Sequence, residues 1–257
     1  KSVALTMLRN AEVASAGILP FCQDTGTATI VGKKGQQVWT GCDDCEQLSH
    51  GVYDAYTQNN LRYSQTVALD MYTEKNTGTN TGSKIPWLDW EIVPDSDSVI
   101  IDVYMAGGGC TLPGAATVLM QGQGYEGVAE FVFDVITSRG VNACPPLLVG
   151  VGVSTSAETA ARLSKKAILR PVDSRHPNDN AALMEELLAE GLNELGLGPQ
   201  GLTGNNSVMG VNIESSARHP STIGVAVSTG CWAHRRGKIR INADLTHDVL
   251  SHEGFKL

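Results

Sequence analysis

Hydrophobic and polar positions alternate along this chain with two different periods, and the switches between them mark out the elements. Val3, Leu5, Leu8, Ala11 and Val13 recur at helical spacing, so a helix is predicted over Ser2 to Ser15, stopped by Gly17. Between Thr27 and Trp39 the pattern predicts two strands joined by a turn at Gly32-Lys33-Lys34-Gly35-Gln36, then a helix from Asp44 to Asn59. Period-two alternation over Ser64 to Tyr72 and over Ser98 to Met105 predicts sheet, with a polar Asn/Thr/Gly loop between. Further helices are expected from Tyr125 to Ser138, from Ser156 to Leu169 and from Asn178 to Leu195, each bounded by turn or cap residues. Leu147 to Val153 reads as a buried strand, as do Met209 to Glu214 and Ile223 to Ser228. Runs of strand and helix without strict alternation place the chain in the α+β class, with mixed sheets packed against helices. No repeat, low-complexity tract or linker divides it, so one domain over residues 1–257 is expected.

Composition narrows the function classes. A formal net charge of −8 and the lack of a clustered basic patch argue against nucleic acid as a partner. The longest apolar stretches, such as Pro145 to Val153, fall far short of the roughly 20 residues that cross a bilayer, so no membrane role is expected. Six cysteines are spread over a chain large enough to hold a core without staples, which favours reduced thiols and a cytoplasmic location, with a mitochondrial matrix left open. The sequence starts at Lys1 inside a helical pattern, without Met or a signal segment, and a truncated amino terminus is expected.

Three of those cysteines lie in loops rich in polar or turn-forming residues: Pro20-Phe21-Cys22-Gln23-Asp24-Thr25-Gly26, Asn142-Ala143-Cys144-Pro145-Pro146, and Thr229-Gly230-Cys231-Trp232. Soft thiolates from three distant loops, with no fourth alongside, suggest an iron–sulfur centre with one iron open to substrate. Cys110, after three glycines, ranks as a fourth candidate. The Cys42/Cys45 pair has no matching pair at zinc spacing and is read as an exposed acidic segment. Asp24 is a carboxylate that can also cap the amides following it. His219 precedes a proline that forces extended backbone, and Ser174-Arg175-His176-Pro177 repeats the Arg-His-Pro order, which weakens that tripeptide as a signal. Arg62 and the Arg235-Arg236 pair offer planar forks for a carboxylate. Gly107-Gly108-Gly109 has no P-loop lysine and no dinucleotide frame, and is read as a backbone nest for a carboxylate.

Several of these segments resemble one enzyme family. Phe21-Cys22-Gln23-Asp24-Thr25-Gly26-Thr27-Ala28, Asn60-Leu61-Arg62-Tyr63-Ser64-Gln65 and Asn76-Thr77-Gly78-Thr79-Asn80 are similar to the iron–sulfur class I fumarases. Tyr104 to Gly114, Val141 to Pro146, Ala217 to Thr222 and Gly224 to Gly237 resemble its tartrate dehydratase α-subunit branch. The resemblance implies an iron–sulfur hydro-lyase α-type catalytic domain whose Cys22, Cys144 and Cys231 hold a [4Fe–4S] cluster with one iron open as a Lewis acid. It implies that Gln23, Asp24, Arg62, Gly107, Gly108, Gly109 and His219 bind a small dicarboxylate, with Asp24 and His219 as catalytic groups. It also implies a β subunit or β domain that completes the site, a dimer of αβ units, and inactivity of this chain alone. Reversible hydration of fumarate to L-malate is the first expectation for the reaction. Dehydration of L(+)-tartrate to oxaloacetate is the alternative, with mesaconate also open, since one hydroxyl of pocket difference is not legible in loops. A non-catalytic cluster-based sensor is the reading from another class.

Overall fold

The computed structural model describes residues 1–252; residues 253–257 of the expected domain lie outside the described residues. In chain order the elements are α1 (Ser2–Ser15), β1 (Thr27–Gly35), α2 (Asp44–Gln58), β2 (Thr66–Ala68), β3 (Glu74–Asn76), β4 (Trp87–Val93), β5 (Val99–Ala106), the single turn α3 (Gly108–Thr111), β6 (Ala115–Met120) and α4 (Gly124–Arg139). They continue with β7 (Leu147–Ser154), α5 (Ala157–Leu169), α6 (Asp179–Glu194), β8 (Val208–Ser215), β9 (Thr222–Gly230), β10 (Arg235–Ile241) and β11 (His247–Val249). The α+β expectation with mixed sheets holds.

Contacts divide the chain into two compact units: Lys1–Gly17 with Gly108–His234, and Ile18–Gly107 with Arg235 onward. Because the chain passes back and forth between them, each is discontinuous in sequence. No single composition shift marks a boundary.

The first unit is built on a four-stranded sheet in the order β6-β9-β7-β8, with β7 parallel to β8 and antiparallel to β9. Side chains alternate across a strand, so Val149, Val151 and Val153 of β7 share one face with Val225 and Val227 of β9. On that face they join Val132 and Ile136 of α4 and Leu188 and Leu192 of α6 in one buried cluster. The opposite face presents Gly150, Gly152 and Gly224, and α5 lies almost on the backbone there. A Cβ at Gly152 would fall 1.9 Å from the Ala160 carbonyl oxygen, and one at Gly150 would fall 2.3 Å from that of Ser164. Ser164 and Ser228 hydroxyls, 2.7 Å apart, close this seam.

Buried Glu185 of α6 ties the β8 side together. It accepts from Arg170 Nη1 and from the Ile213 amide, each at 2.7 Å, and from the His176 amide at 3.2 Å. The caps match the sequence: Ser156 heads α5, and Asn178 accepts from the amides of Asn180 and Ala181 at the start of α6.

The second unit holds a five-stranded sheet, β11-β10-β5-β1-β4, in which β1 runs parallel to β4 and every other pair is antiparallel. Its core gathers Ile30, Val99 and Ile101 with Leu48 and Val52 of α2 and with Trp90. Lys34 Nζ pairs with Asp44 at 2.5 Å, and Lys238 of β10 meets Asp102 of β5 at 3.2 Å. The two residues are direct cross-strand partners.

Four expectations are corrected here. Thr27 to Gly35 is one strand and not two around a turn, because Gly32 makes room for the ring of Trp90, which a Cβ would approach to 2.0 Å. The alternating run from Ser64 to Tyr72 pairs only over Thr66–Ala68; Asp70 then takes the amides of Tyr72 and Thr73 and folds the chain into a turn. The segment expected as a polar loop contains the strands β3 and β4. The glycine run expected as open loop winds into α3 from Gly108.

Candidate functional site

Within the second unit, Cys22, Gln23, Asp24, Arg62 and Gly107 come from two loops and the end of β5. The loop entering β1 carries Asp24, whose Oδ1 accepts the Gly26 amide at 3.2 Å, the cap expected of an aspartate there. The same carboxylate rests against Gly107: a Cβ at that glycine would lie 2.7 Å from Asp24 Oδ2, so any larger residue would push the carboxylate from its present position. Gly26, at φ +81°, backs onto the Ala106 carbonyl in the same way. Arg62 donates through Nη1 to the Gln23 side-chain oxygen. The amide and guanidinium singled out as carboxylate-binding groups are therefore neighbours. Cys22 is half-buried at the start of this loop.

Three residues that sequence reasoning did not assign to the site, and one that it did, hold these loops in register. Thr25 donates its hydroxyl to the Arg62 carbonyl at 2.7 Å. Asn80, 1% exposed, donates to that carbonyl at 2.8 Å and accepts the Ser64 amide at 2.6 Å. Tyr56, equally buried, donates to the carbonyls of Thr25 and Gly26 at 3.1 and 2.5 Å. Burial pushes the Tyr56 phenol up to about 12, with the Arg235 guanidinium pulling against it, so it stays a neutral donor across working pH. Arg235 Nη1 donates to the Asp24 carbonyl at 2.6 Å. A guanidinium that the sequence suggested for substrate thus also bonds the protein backbone. Asn80 lies in a segment that the sequence did single out, Asn76 to Asn80, but its positive φ and its backbone partners are visible only in the structure.

Within the first unit, the segments bearing Cys144 and Cys231 meet. Cys231 directly follows β9 and is buried, and the next amide, that of Trp232, donates to the Cys144 carbonyl at 3.2 Å. Cys144 follows a short 3-10 turn at Gly140–Ala143 and adopts φ +54°, ψ 74°, the left-handed region. A side chain in that region costs on the order of 1 kcal/mol that glycine would not incur. Its thiol is exposed. The Gly108 to Cys110 turn is fastened nearby: Thr229 donates to the Cys110 carbonyl at 2.5 Å, and a Cβ at Gly109 would stand 3.2 Å from the Asn142 carbonyl. Cys110 is buried.

His219 takes its backbone position from Thr155, whose hydroxyl accepts the His219 amide at 3.1 Å. The ring Nδ1 accepts the Ser221 amide at 3.2 Å and lies 2.6 Å from the Ser221 hydroxyl. An Nδ1 that accepts an amide leaves Nε2 to carry the proton of the neutral ring. The imidazole thus presents an N–H donor on an exposed loop.

The thiols suit a soft-metal centre in donor type: all six cysteines are thiols and none is in a disulfide. Neither unit by itself gathers three His, Cys, Asp or Glu side chains able to hold a metal ion, among the described residues. Of the expected ligand set, Cys144 and Cys231 belong to the first unit and Cys22 to the second. Cys42 and Cys45 are exposed at the start of α2, where Asp43 caps the helix. Among the described residues no helix is long and apolar enough to cross a membrane.

Residues 1–240 match the family model described as fumarate hydratase (Fumerase). The chain is 58% identical over 252 residues to the L(+)-tartrate dehydratase subunit alpha of Escherichia coli strain UTI89, covering 98% of this chain and 82% of that relative. The protein of the same description from E. coli K12 is 57% identical with the same coverage. The anaerobic class I fumarate hydratase of E. coli K12 is 38% identical over 256 residues, 95% of this chain and 45% of the relative.

Proposed function

The chain belongs to the fumarate hydratase family, a family of hydro-lyases, and on that premise we propose that it is the α component of an enzyme that removes water from L(+)-tartrate. The observation that carries the substrate is the 58% identity to the tartrate dehydratase α subunit across 98% of the chain, against 38% to the fumarate hydratase. The hydro-lyase expectation stands at family level. Of the two substrate expectations, the one placed second is thus the better supported.

Cys22, Cys144 and Cys231 are the thiolates we assign to a [4Fe–4S] cluster. The hydrogen bond from the amide of Trp232, the residue after Cys231, to the Cys144 carbonyl supports the pairing of two of them, and the left-handed backbone at Cys144 supports a functional side chain there. When bound, such a cluster supplies an iron with an open coordination position, a Lewis acid toward carboxylate and hydroxyl oxygens.

The other roles follow from side-chain chemistry. Arg62 offers a planar cation to one substrate carboxylate, and the Gln23 amide beside it adds a neutral contact. Asp24, seated against Gly107, serves as proton acceptor or as a hydrogen-bond acceptor for a substrate hydroxyl. Gly108 and Gly109 leave backbone amides unscreened by side chains for the second carboxylate. His219, with Nε2–H outward, donates to a carboxylate or to the departing hydroxyl. The subunit names of the relatives support a β partner, and dimerisation of the αβ unit and a cytoplasmic location belong to the same proposal.

The test is a rate comparison on the chain co-purified anaerobically with its β component, using L(+)-tartrate, fumarate with L-malate, and mesaconate. The expected kcat/KM for tartrate exceeds that for fumarate by at least about tenfold, as for a site built around one extra hydroxyl. A preference for fumarate would restore the other reading. Cluster binding without turnover or spectral response to any of the diacids would favour a sensor.

A further inference from the structure

We infer that Asn80 is a positioning residue for the substrate-binding arginine, acting through the Arg62 backbone; this rests on the carboxylate-binding role proposed for Arg62. The two ends of the Asn80 amide do separate work. Nδ2 donates to the Arg62 carbonyl at 2.8 Å, and Oδ1 accepts the Ser64 amide at 2.6 Å, so one buried side chain fixes the backbone from the carbonyl of the guanidinium-bearing residue to the amide two residues on. The Arg62 carbonyl takes a second donor, the Thr25 hydroxyl, at 2.7 Å. Thr25 follows Gln23 and Asp24, and Gln23 receives the Arg62 guanidinium. The arrangement is a closed loop: Asn80 fixes the Arg62 backbone, Thr25 joins that backbone to the Gln23-Asp24 segment, and the Arg62 side chain returns to Gln23. Tyr56 seals its base by reaching the Thr25 carbonyl.

Two properties single out asparagine at this position. Its φ is +55°, a conformation that asparagine and aspartate accept more readily than other residues with a side chain. It must also donate and accept at once, to the Arg62 carbonyl and to the Ser64 amide, from a side chain that is itself buried. Aspartate meets the first requirement but only half of the second: its carboxylate still accepts the Ser64 amide, yet faces the Arg62 carbonyl with an oxygen. Glycine keeps the backbone relaxed and removes both bonds.

These differences define the experiment, on the αβ holoenzyme with L(+)-tartrate as probe. Asn80→Asp should raise KM about tenfold, since a lost donor becomes a repulsive contact, while kcat stays within about threefold. Cluster iron should be unchanged, and the KM penalty should shrink below about twofold in an Arg62→Lys background, because coupled residues are not additive. A residue with only a structural role would lower the melting temperature without that coupling. Independently of any substrate, hydrogen exchange on the chain should show the segment 61–65 losing protection in Asn80→Gly, with the Ser64 amide retained in Asn80→Asp. An unchanged KM in Asn80→Asp, or unchanged exchange in Asn80→Gly, overturns the inference. If the wild type turns over none of the diacids, the proposed activity falls, and the exchange result then decides the positioning by itself.

Discussion

Replacing Gly152 by alanine tests the closest approach in the first unit. The added methyl would stand 1.9 Å from the Ala160 oxygen, 2.6 Å from the Ser164 nitrogen and 2.9 Å from the Ala160 carbonyl carbon. All three are backbone atoms of α5, so no flexible side-chain tip can swing away. Since carbon and oxygen rest roughly 3.3 Å apart, α5 must retreat by on the order of 1.4 Å. That retreat lifts Ala160, Ser164, Ala167 and Ile168, all buried, off the sheet. It also stretches the 2.7 Å bond between Ser164 and Ser228.

Overpacking of this kind costs about 1 to 3 kcal/mol, and the strained buried hydrogen bond adds about 1 kcal/mol. About 3 kcal/mol in total corresponds to a fall in melting temperature of roughly 6 to 12 °C for a unit of this size. Gly51→Ala is the control, since it lies inside α2 with nothing within 4 Å of the new methyl. It should raise stability by about 1 kcal/mol. Both substitutions stiffen the unfolded chain alike, so opposite signs isolate the steric effect. The assay is thermal unfolding followed by far-ultraviolet circular dichroism. A Gly152→Ala protein melting within about 2 °C of wild type would refute the reasoning.

Other perturbations probe different parts of the molecule. Glu185→Ala should cost about 3 to 5 kcal/mol in urea unfolding, because Arg170 and the Ile213 amide lose their shared acceptor; a loss below about 1 kcal/mol would remove that hub from the account. For Asp44, burial pushes the carboxyl upward, but the Lys34 ammonium and the Thr40 hydroxyl outweigh it and hold the group below its ordinary 3.8. A depressed carboxylate stabilises the fold above its unfolded value and stops doing so as pH falls through the folded one. The stability gap between wild type and Asp44→Asn should therefore close below pH 3.8, and a gap constant across that range would contradict the assignment. Serine at Cys22, Cys144 or Cys231 should abolish most iron and sulfide uptake in anaerobic reconstitution, whereas Cys42→Ser and Cys45→Ser should leave it intact. Full uptake by any of the first three would eliminate that thiol as a ligand.

Elements with a strong local signature were legible in the sequence, and those stabilised from a distance were not. The helices α1, α5 and α6 begin and end within a residue or so of expectation because Gly17, Ser156 and Asn178 act on their own neighbours. β7 was evident from its unbroken apolar run. β4 was hidden by Asp89 and Glu91, and its pairing with β1 depends on a parallel partner far back in the chain. β10 reads Arg235-Arg236-Gly237-Lys238-Ile239-Arg240-Ile241, a charge-rich stretch whose strand character is supported by the Lys238 to Asp102 pair across to β5. At the site, residue types with reactive side chains drew attention: thiols, guanidinium, imidazole and carboxylate. Asn80, Tyr56 and Thr25 did not, because each works by bonding a backbone carbonyl, and a carbonyl leaves no mark in the residue it belongs to. The Arg235 contact with the Asp24 carbonyl went unforeseen for the same reason.

The strand order of the second unit also governs how it is made. On the ribosome β5 emerges long before β10, the strand that pairs with its far side. For all that time the apolar Val99 to Ala106 segment has one unprotected edge, open to mispairing with other nascent chains. Completion must await synthesis of Arg235 to Ile241, so a ribosome stalled short of that point would release a sticky, unclosed intermediate and give chaperones their natural moment to intervene.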